Sequence, residues 1–116
     1  MYKFCDKGWH LPTNAEWSAL FTAAGDKSTA GKVLKSQTGW YSNGNGTDSF
    51  GFSALPAGSW YKGDFFVGEG YSAYFWGSTE RDSYDAYHMH LYDDRLAAGL
   101  FALNKDYGFS VRCVKD

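Results

Sequence analysis

The two cysteines lie almost at opposite ends of the 116-residue chain, at Cys5 and Cys113. Their separation does not suit a zinc site, because structural zinc sites draw on closely spaced pairs of ligands. One disulfide that joins the ends of the chain is the better interpretation if the compartment is oxidising. In the chain-entropy model, closing a loop of roughly 100 residues stabilises a fold by up to ~4.7 kcal/mol. Two buried free thiols are the alternative.

The composition is typical of a loop-rich domain held together by large rings. Aromatic residues make up 20% of the chain, which has 14 glycines but only 2 prolines. Each aromatic side chain buries a large area, and glycine at this density indicates many tight turns. A chain of this length buries enough surface for one core, so we expect a single domain over residues 1–116.

Charge and hydropathy exclude several classes of protein. There are 11 Lys and Arg against 13 Asp and Glu, a net charge of −2 with both signs scattered along the chain. This distribution predicts no nucleic-acid partner. The apolar stretches are only a handful of residues long, so we expect no direct membrane insertion. We find no signal peptide and expect the domain to be excised from a longer precursor.

A first helix is predicted to open at Thr13. Thr13 and Glu16 form the capping-box pattern Thr-Asn-Ala-Glu, in which each residue satisfies a free backbone donor of the other. Trp17, Leu20 and Phe21 follow at helical spacing and mark the buried face.

Beyond a second short helix, predicted over residues 29–35, the chain changes to strands. Residues 41–48 are rich in Asn and Gly and predict a loop. Short strands are predicted over residues 52–55, 74–78, 87–92, 96–101 and 109–114. Two helices followed by strands predict an α+β domain.

Large rings are expected to form most of the core, namely Trp9, Trp17, Trp40, Phe52, Trp76 and Phe109. Trp60, Tyr61, Phe65 and Phe66 lie in a glycine-rich segment and could be either buried or exposed. Loop tryptophans and tyrosines are favoured in interfaces, but in a domain of this size a ring is more often part of the core.

Four sequence blocks resemble one known family. The first reads Cys-x-x-Gly-Trp-His-Leu-Pro-Thr from residue 5 and continues to Glu-Trp at residues 16 and 17. The other blocks are residues 51–58, 74–80 and 107–114. In this order, across nearly the whole chain, they resemble the Fibrobacter succinogenes major paralogous domain.

This resemblance implies a secreted or lipoprotein-anchored bacterial protein, mainly from Bacteroidetes and their relatives. It also implies a C-type-lectin-like fold of the formylglycine-generating-enzyme branch. In that fold the N- and C-terminal strands lie side by side, which agrees with a bridge between Cys5 and Cys113. The family's own biochemical activity is poorly defined, so the resemblance bears more on the fold than on the function.

A narrower resemblance concerns the C-terminal third. Residues 76–80 and 108–112 resemble the anchors that flank the variable segment of C-type-lectin-like proteins diversified by retroelements. Between these anchors the chain is more apolar than an ordinary solvated strand and loop. We therefore expect a binding surface within residues 81–103. Eight residues of this segment are expected to contribute mainly to binding and little to folding: Tyr84, His88, His90, Tyr92, Arg95, Leu100, Phe101 and Leu103. Leu91 and Leu96 are expected to fill the core instead.

No catalytic residue, cofactor or metal is predicted. Formylglycine-generating enzymes use neighbouring cysteines, whereas Cys113 belongs to the closing block and Cys5 is its expected partner. Sugar-binding C-type lectins use Glu-Pro-Asn or Gln-Pro-Asp with Trp-Asn-Asp to hold calcium, and none of these motifs occurs. A structural calcium ion held by residues 43–48, or by Asp93 and Asp94, is an alternative to a plain solvated turn.

His88 and His90 alternate along a predicted strand, which places them on one face about 7 Å apart. This spacing permits zinc binding, but no third ligand is evident in the sequence. We therefore expect both to be exposed strand residues.

The sequence thus favours a non-enzymatic display domain at the cell surface or outside the cell, which binds an unknown protein or carbohydrate ligand. The alternative is a structural or adhesive module of a bacterial surface lipoprotein without a dedicated pocket. An oxidase-like or hydrolytic enzyme has the least support. The sequence does not fix the ligand or the oligomeric state.

Overall fold

The computed structural model describes residues 4–61 and 65–116. In these ranges the two helices precede most of the strands, so the predicted α+β class is confirmed. Along the chain the elements are β1 (Trp9–His10), α1 (Asn14–Ala23), α2 (Lys27–Leu34), β2 (Ser59–Tyr61), β3 (Phe65–Val67), β4 (Ser72–Glu80), β5 (Asp85–Tyr92), β6 (Ala98–Asn104), β7 (Tyr107–Gly108) and β8 (Val114–Lys115). Neither helix is both long and apolar enough to cross a membrane.

The strands form three antiparallel sheets. The largest has β5 between β4 and β6, and the second has β2 between β3 and β7. In the third, β1 pairs with β8, so the two ends of the chain lie side by side. The disulfide between Cys5 and Cys113 closes the same region. The predicted bridge is therefore confirmed, and the alternative of two free thiols is wrong.

Helix α1 begins as predicted. The Thr13 hydroxyl accepts a hydrogen bond from the Glu16 backbone N–H at 3.1 Å, and the Glu16 carboxylate accepts one from the Thr13 N–H at 3.0 Å. Trp17 and Phe21 are almost fully buried, and Leu20 packs at the margin of the same cluster. The predicted buried face is correct.

Helix α2 begins two residues earlier than predicted because Asp26 caps it. The Asp26 carboxylate accepts hydrogen bonds from the Lys27 backbone N–H and the Ser28 hydroxyl. The helix ends at Leu34, whose side chain is fully buried, and Lys35 already has extended backbone angles.

The strand predictions hold for the largest sheet and fail around it. The predicted strands at 74–78, 87–92 and 96–101 overlap β4, β5 and β6. Residues 52–55 form no strand, since Ala54 makes only one isolated bridge, to Lys35. Residues 109–114 contribute one bridge from Ser110 and the start of β8. The short strands β2 and β3 were not predicted.

The main core lies between the two helices and one face of the largest sheet. It contains Trp17, Phe21, Leu34, Trp40, Phe75, Met89 and Leu91. A smaller cluster surrounds the disulfide and includes Trp76 and Ala86. Trp17, Trp40, Trp76 and Leu91 are therefore buried as predicted, while Phe52 and Phe109 are half-buried.

Two core predictions are wrong. Trp9 is 47% exposed, because it lies on the two-residue strand β1 at the surface of the paired termini. Leu96 is 57% exposed, because it lies in the turn between β5 and β6 and contributes its carbonyl, which accepts a hydrogen bond from the Lys32 N–H.

A candidate ligand-binding face on the largest sheet

The two faces of the largest sheet differ because side chains alternate along β5. Met89 and Leu91 point to the back of the sheet and join the main core under the helices. His88, His90 and Tyr92 point to the opposite side, which we call the front face. This face carries most of the residues that the sequence nominated for binding.

Phe109 covers one end of the front face. Its ring stacks on Tyr74, with a centroid distance of 5.0 Å and an interplanar angle of 17°, and it lies 4.3 Å from the Trp76 ring. The ring of His88 is 4.9 Å from the Phe109 ring. His88 is consequently only 1% exposed, so the expectation that it is an exposed strand residue is wrong.

His88 and His90 contact each other directly on this face. His88 Nε2 lies 3.2 Å from His90 Nδ1, a hydrogen-bond distance. Burial lowers the pKa of His88 to about 3, with a further contribution from His90. Burial also lowers the pKa of His90 to about 4, assisted by the positive charges of Arg95 and Lys27. Both imidazoles are therefore neutral at pH 7. His90 is half-buried, so the expected exposure holds for it only in part.

The ring of His90 lies directly over Gly99 on the neighbouring strand. A Cβ atom at position 99 would come within 2.2 Å of His90 Nε2. Glycine at this position therefore leaves the space that the imidazole ring occupies. Gly99 therefore shapes the front face, and it was not predicted from the sequence, although a glycine in the middle of a strand is a known signal of close approach.

Beyond His90 the front face opens into a concave pocket of about 520 Å³. Four of the predicted binding residues meet there, namely His90, Tyr92, Arg95 and Phe101. Tyr71, Ser72, Asp93 and Asp94 complete the lining. The Arg95 guanidinium lies over the Tyr92 ring at 5.3 Å, and Phe101 is 55% exposed. The pocket thus combines exposed aromatic surface with hydrogen-bond donors and hydrogen-bond acceptors.

Lys35 holds the turn that forms one side of the pocket. Its side chain is 2% exposed, and its ammonium group donates hydrogen bonds to the carbonyls of Tyr92 at 2.9 Å and Arg95 at 3.2 Å. Burial lowers the pKa of Lys35, with a contribution from Lys32. A buried lysine is rare unless its charge is compensated. This role of Lys35 could not be predicted from local sequence, because the two carbonyls lie nearly sixty residues further along the chain.

The other predicted binding residues lie away from the pocket. Tyr84 is 73% exposed in the turn between β4 and β5, at the opposite end of the sheet. Leu103 is half-buried and pairs with Ala86 near that same end. Leu100 pairs with Met89 and packs against the main core, so it does not project from the surface as expected.

The two segments considered for calcium are engaged in turns. The Asp48 carboxylate accepts hydrogen bonds from the backbone N–H and the hydroxyl of Ser53, and Asn45 Oδ1 accepts one from the Trp40 N–H. Asp94 lies near the Arg95 guanidinium, at 3.9 Å. Over residues 4–61 and 65–116, no three His, Cys, Asp or Glu side chains come together as a metal-ligand group.

These features describe an α+β domain whose ends are joined by a disulfide and whose largest sheet carries an open, mixed polar and aromatic pocket. The family model of the Fibrobacter succinogenes major domain matches residues 1–115. The chain belongs to this family. No curated protein and no solved structure matches it.

Proposed function

We propose that this chain is a non-enzymatic ligand-binding display domain whose binding site is the pocket at the open end of the front face. The observation that carries this proposal is the convergence of His90, Tyr92, Arg95 and Phe101 on one concave surface. Aromatic rings and arginine are the residues that contribute most to binding energy in interfaces. Their support is rigid, since β5 and β6 pair over seven residues and Lys35 fixes the turn between them.

The fold of this proposed display domain is C-type-lectin-like. Three features support it: the helices precede the main sheet, the terminal strands pair, and a disulfide joins the termini. The disulfide also supports a location outside the cytoplasm, at the cell surface or beyond it, because structural disulfides persist in oxidising compartments. The same bridge supports the non-enzymatic assignment, since it uses both cysteines and leaves no thiol for oxidase chemistry.

Diversification by a retroelement is part of the same proposal. The two anchor segments include β4 residues in the sheet and Phe109, which covers it. Between them, Tyr84, Arg95, Leu96 and Phe101 are exposed, so changes at these positions leave the core intact. An alignment of natural variants tests this idea. Changes concentrated at the exposed positions support it, and changes spread evenly over the surface contradict it.

A second candidate function rests on a different surface. Leu55 and Phe66 are 60% and 71% exposed and line one surface groove. Trp60, which is 37% exposed, pairs with Phe66 on the β2–β3 hairpin. Large exposed apolar patches mark association sites. This patch favours the alternative of a structural or adhesive module, in which the hairpin, and not the pocket, makes the contact.

A binding screen with two matched variants separates these functions. The wild-type domain is applied to glycan and protein arrays beside an Arg95→Ser/Phe101→Ser variant and a Leu55→Ser/Phe66→Ser variant. The display proposal expects the first variant to lose the wild-type signal by tenfold or more, which corresponds to about 1.4 kcal/mol of binding free energy, and the second to retain it. The reverse pattern would favour the adhesive module and overturn the display proposal.

A further inference from the structure

His90 has one ring nitrogen engaged and one free. His90 Nδ1 faces His88 Nε2 at 3.2 Å, whereas His90 Nε2 has no hydrogen-bond partner in the described ranges. The free nitrogen belongs to a residue that lines the pocket. Whether it donates or accepts a hydrogen bond decides what the pocket recognises, and this depends on which nitrogen of each ring carries the proton.

Two arrangements of protons satisfy the contact between the rings. In the first, His88 Nε2–H donates to His90 Nδ1, and the proton of His90 is on Nε2. In the second, His90 Nδ1–H donates to His88 Nε2, and the proton of His88 is on its own Nδ1. Because burial holds both pKa values well below 7, each ring carries one proton at neutral pH, and the two arrangements are exclusive.

The surroundings of His88 favour the first arrangement. His88 Nδ1 is buried and has no hydrogen-bond partner in the described part of the chain. The second arrangement would place an N–H donor at this position, and buried N–H groups without partners are rarer than buried acceptors without partners. The first arrangement also uses, in both rings, the Nε2–H form that a free histidine side chain prefers.

We propose that His88 is a positioning residue that fixes His90 as an Nε2–H donor, so that the pocket recognises a hydrogen-bond acceptor oxygen on its ligand. This inference rests on the proposed function for the identity of the pocket as the binding site. The pocket lining carries two carboxylates, Asp93 and Asp94, and one guanidinium, Arg95. Because the carboxylates repel an anionic ligand, the ligand atom that suits this donor is a neutral oxygen, a hydroxyl or a carbonyl.

Gly99 contributes to the same arrangement of the His90 ring. The imidazole of His90 reaches its place over the strand only because position 99 has no Cβ atom. The donor is thus set by two residues, one of which fixes the proton and the other the position of the ring.

The first experiment measures the tautomers without any ligand. Long-range ¹H–¹⁵N correlation spectra at pH 7 should show His90 Nε2 protonated and His90 Nδ1 unprotonated. A His88→Phe variant, which keeps a buried ring but removes the donor, should give His90 as a mixture of tautomers, and Tyr92→Phe should leave the tautomer unchanged. A purely structural role for His88 would not alter the tautomer. A wild-type His90 protonated on Nδ1 overturns the proposal, even if the His88 variant does not fold.

The second experiment tests recognition with neutral probes. Methyl glucoside supplies hydroxyl oxygens and N-methylacetamide supplies a carbonyl oxygen, and guanidinium, which only donates, is the control. We expect one of the neutral probes to shift His90 ¹⁵Nε2, and His90→Phe to weaken its binding about 3- to 10-fold, the effect of one hydrogen bond. Shifts with guanidinium alone would contradict acceptor recognition. The tautomer result stands apart from these titrations, so failure of the pocket as a binding site and failure of the tautomer assignment are distinguishable.

Discussion

The two faces of strand β5 share one backbone but differ in what covers them. On the back, Met89 and Leu91 are fully buried under the helices. On the front, burial decreases along the strand, from His88 at 1% exposed through the half-buried His90 and Tyr92. The cover on this side is Phe109 with the smaller cluster around the disulfide, and it reaches only one end of the face. The difference indicates that the back face maintains the fold, whereas the uncovered end of the front face is available for a ligand.

The largest effect should come from the back face. Leu91→Ala removes a fully buried side chain and leaves a cavity, and it should lower the free energy of unfolding by about 2–5 kcal/mol. Phe101→Ala on the front is the matched control and should change it by less than about 0.5 kcal/mol. Urea denaturation measures both. Similar losses for the two variants would remove the distinction between the faces.

Acid should destabilise the domain through His88 and His90, the two histidines of the front face. Unfolded imidazoles take up protons near pH 6.5, whereas folded His88 and His90 do so only near pH 3 and 4. The unfolded state therefore binds more protons in this window, and stability falls as the pH drops from about 6.5 toward 4. The loss should be on the order of 2 kcal/mol per histidine.

The control for this pH effect is a His88→Phe/His90→Phe variant. The lowered pKa values of Glu16 and Asp26 also reduce stability in acid, but both carboxylates remain in the variant. Urea denaturation at pH 7 and pH 4.5 should therefore show a shallower dependence on pH in the variant than in the wild type. Equal slopes would mean that the two imidazoles are not buried as described.

A smaller effect is expected at the contact between β5 and β6. Gly99→Ala should lower the free energy of unfolding by about 1–3 kcal/mol, because the new methyl group meets the His90 ring. In a His90→Ala background the same substitution should cost little, since the ring is gone. The double-mutant cycle isolates this coupling. A cost that is unchanged in the His90→Ala background would show that the strain at Gly99 has another cause.

The sequence predicted what depends on near neighbours. The capping box of α1 and the placement of His88 and His90 on one face both follow from local spacing, and both are correct. The burial of His88 could not be predicted in this way, because it depends on Phe109, which follows about twenty residues later. Lys35 is a similar case, since the carbonyls that compensate its burial come from the turn after β5.

The errors at Leu96 and Leu100 have the same origin, because the burial of both depends on where β6 begins and how it pairs with β5. Leu96 was expected in the core, within a predicted strand over residues 96–101, but β6 begins only at Ala98 and Leu96 lies in the turn before it. Leu100 was expected at the surface because it lies between the two anchor segments, in a stretch more apolar than an ordinary solvated strand. The register with β5 places it opposite Met89, and thereby on the back face.

The most direct test of the account is the thermal stability of a variant in which three exposed side chains, on the front face and in the turns beside it, are replaced by serine. Tyr84→Ser, Arg95→Ser and Phe101→Ser are combined in one variant, because these side chains are 73%, 67% and 55% exposed. Thermal unfolding should give a melting temperature within about 5 °C of the wild type, while the binding signal is lost. A fall of more than about 15 °C would contradict the account, because it would show that these residues maintain the fold and are not a surface available for a ligand.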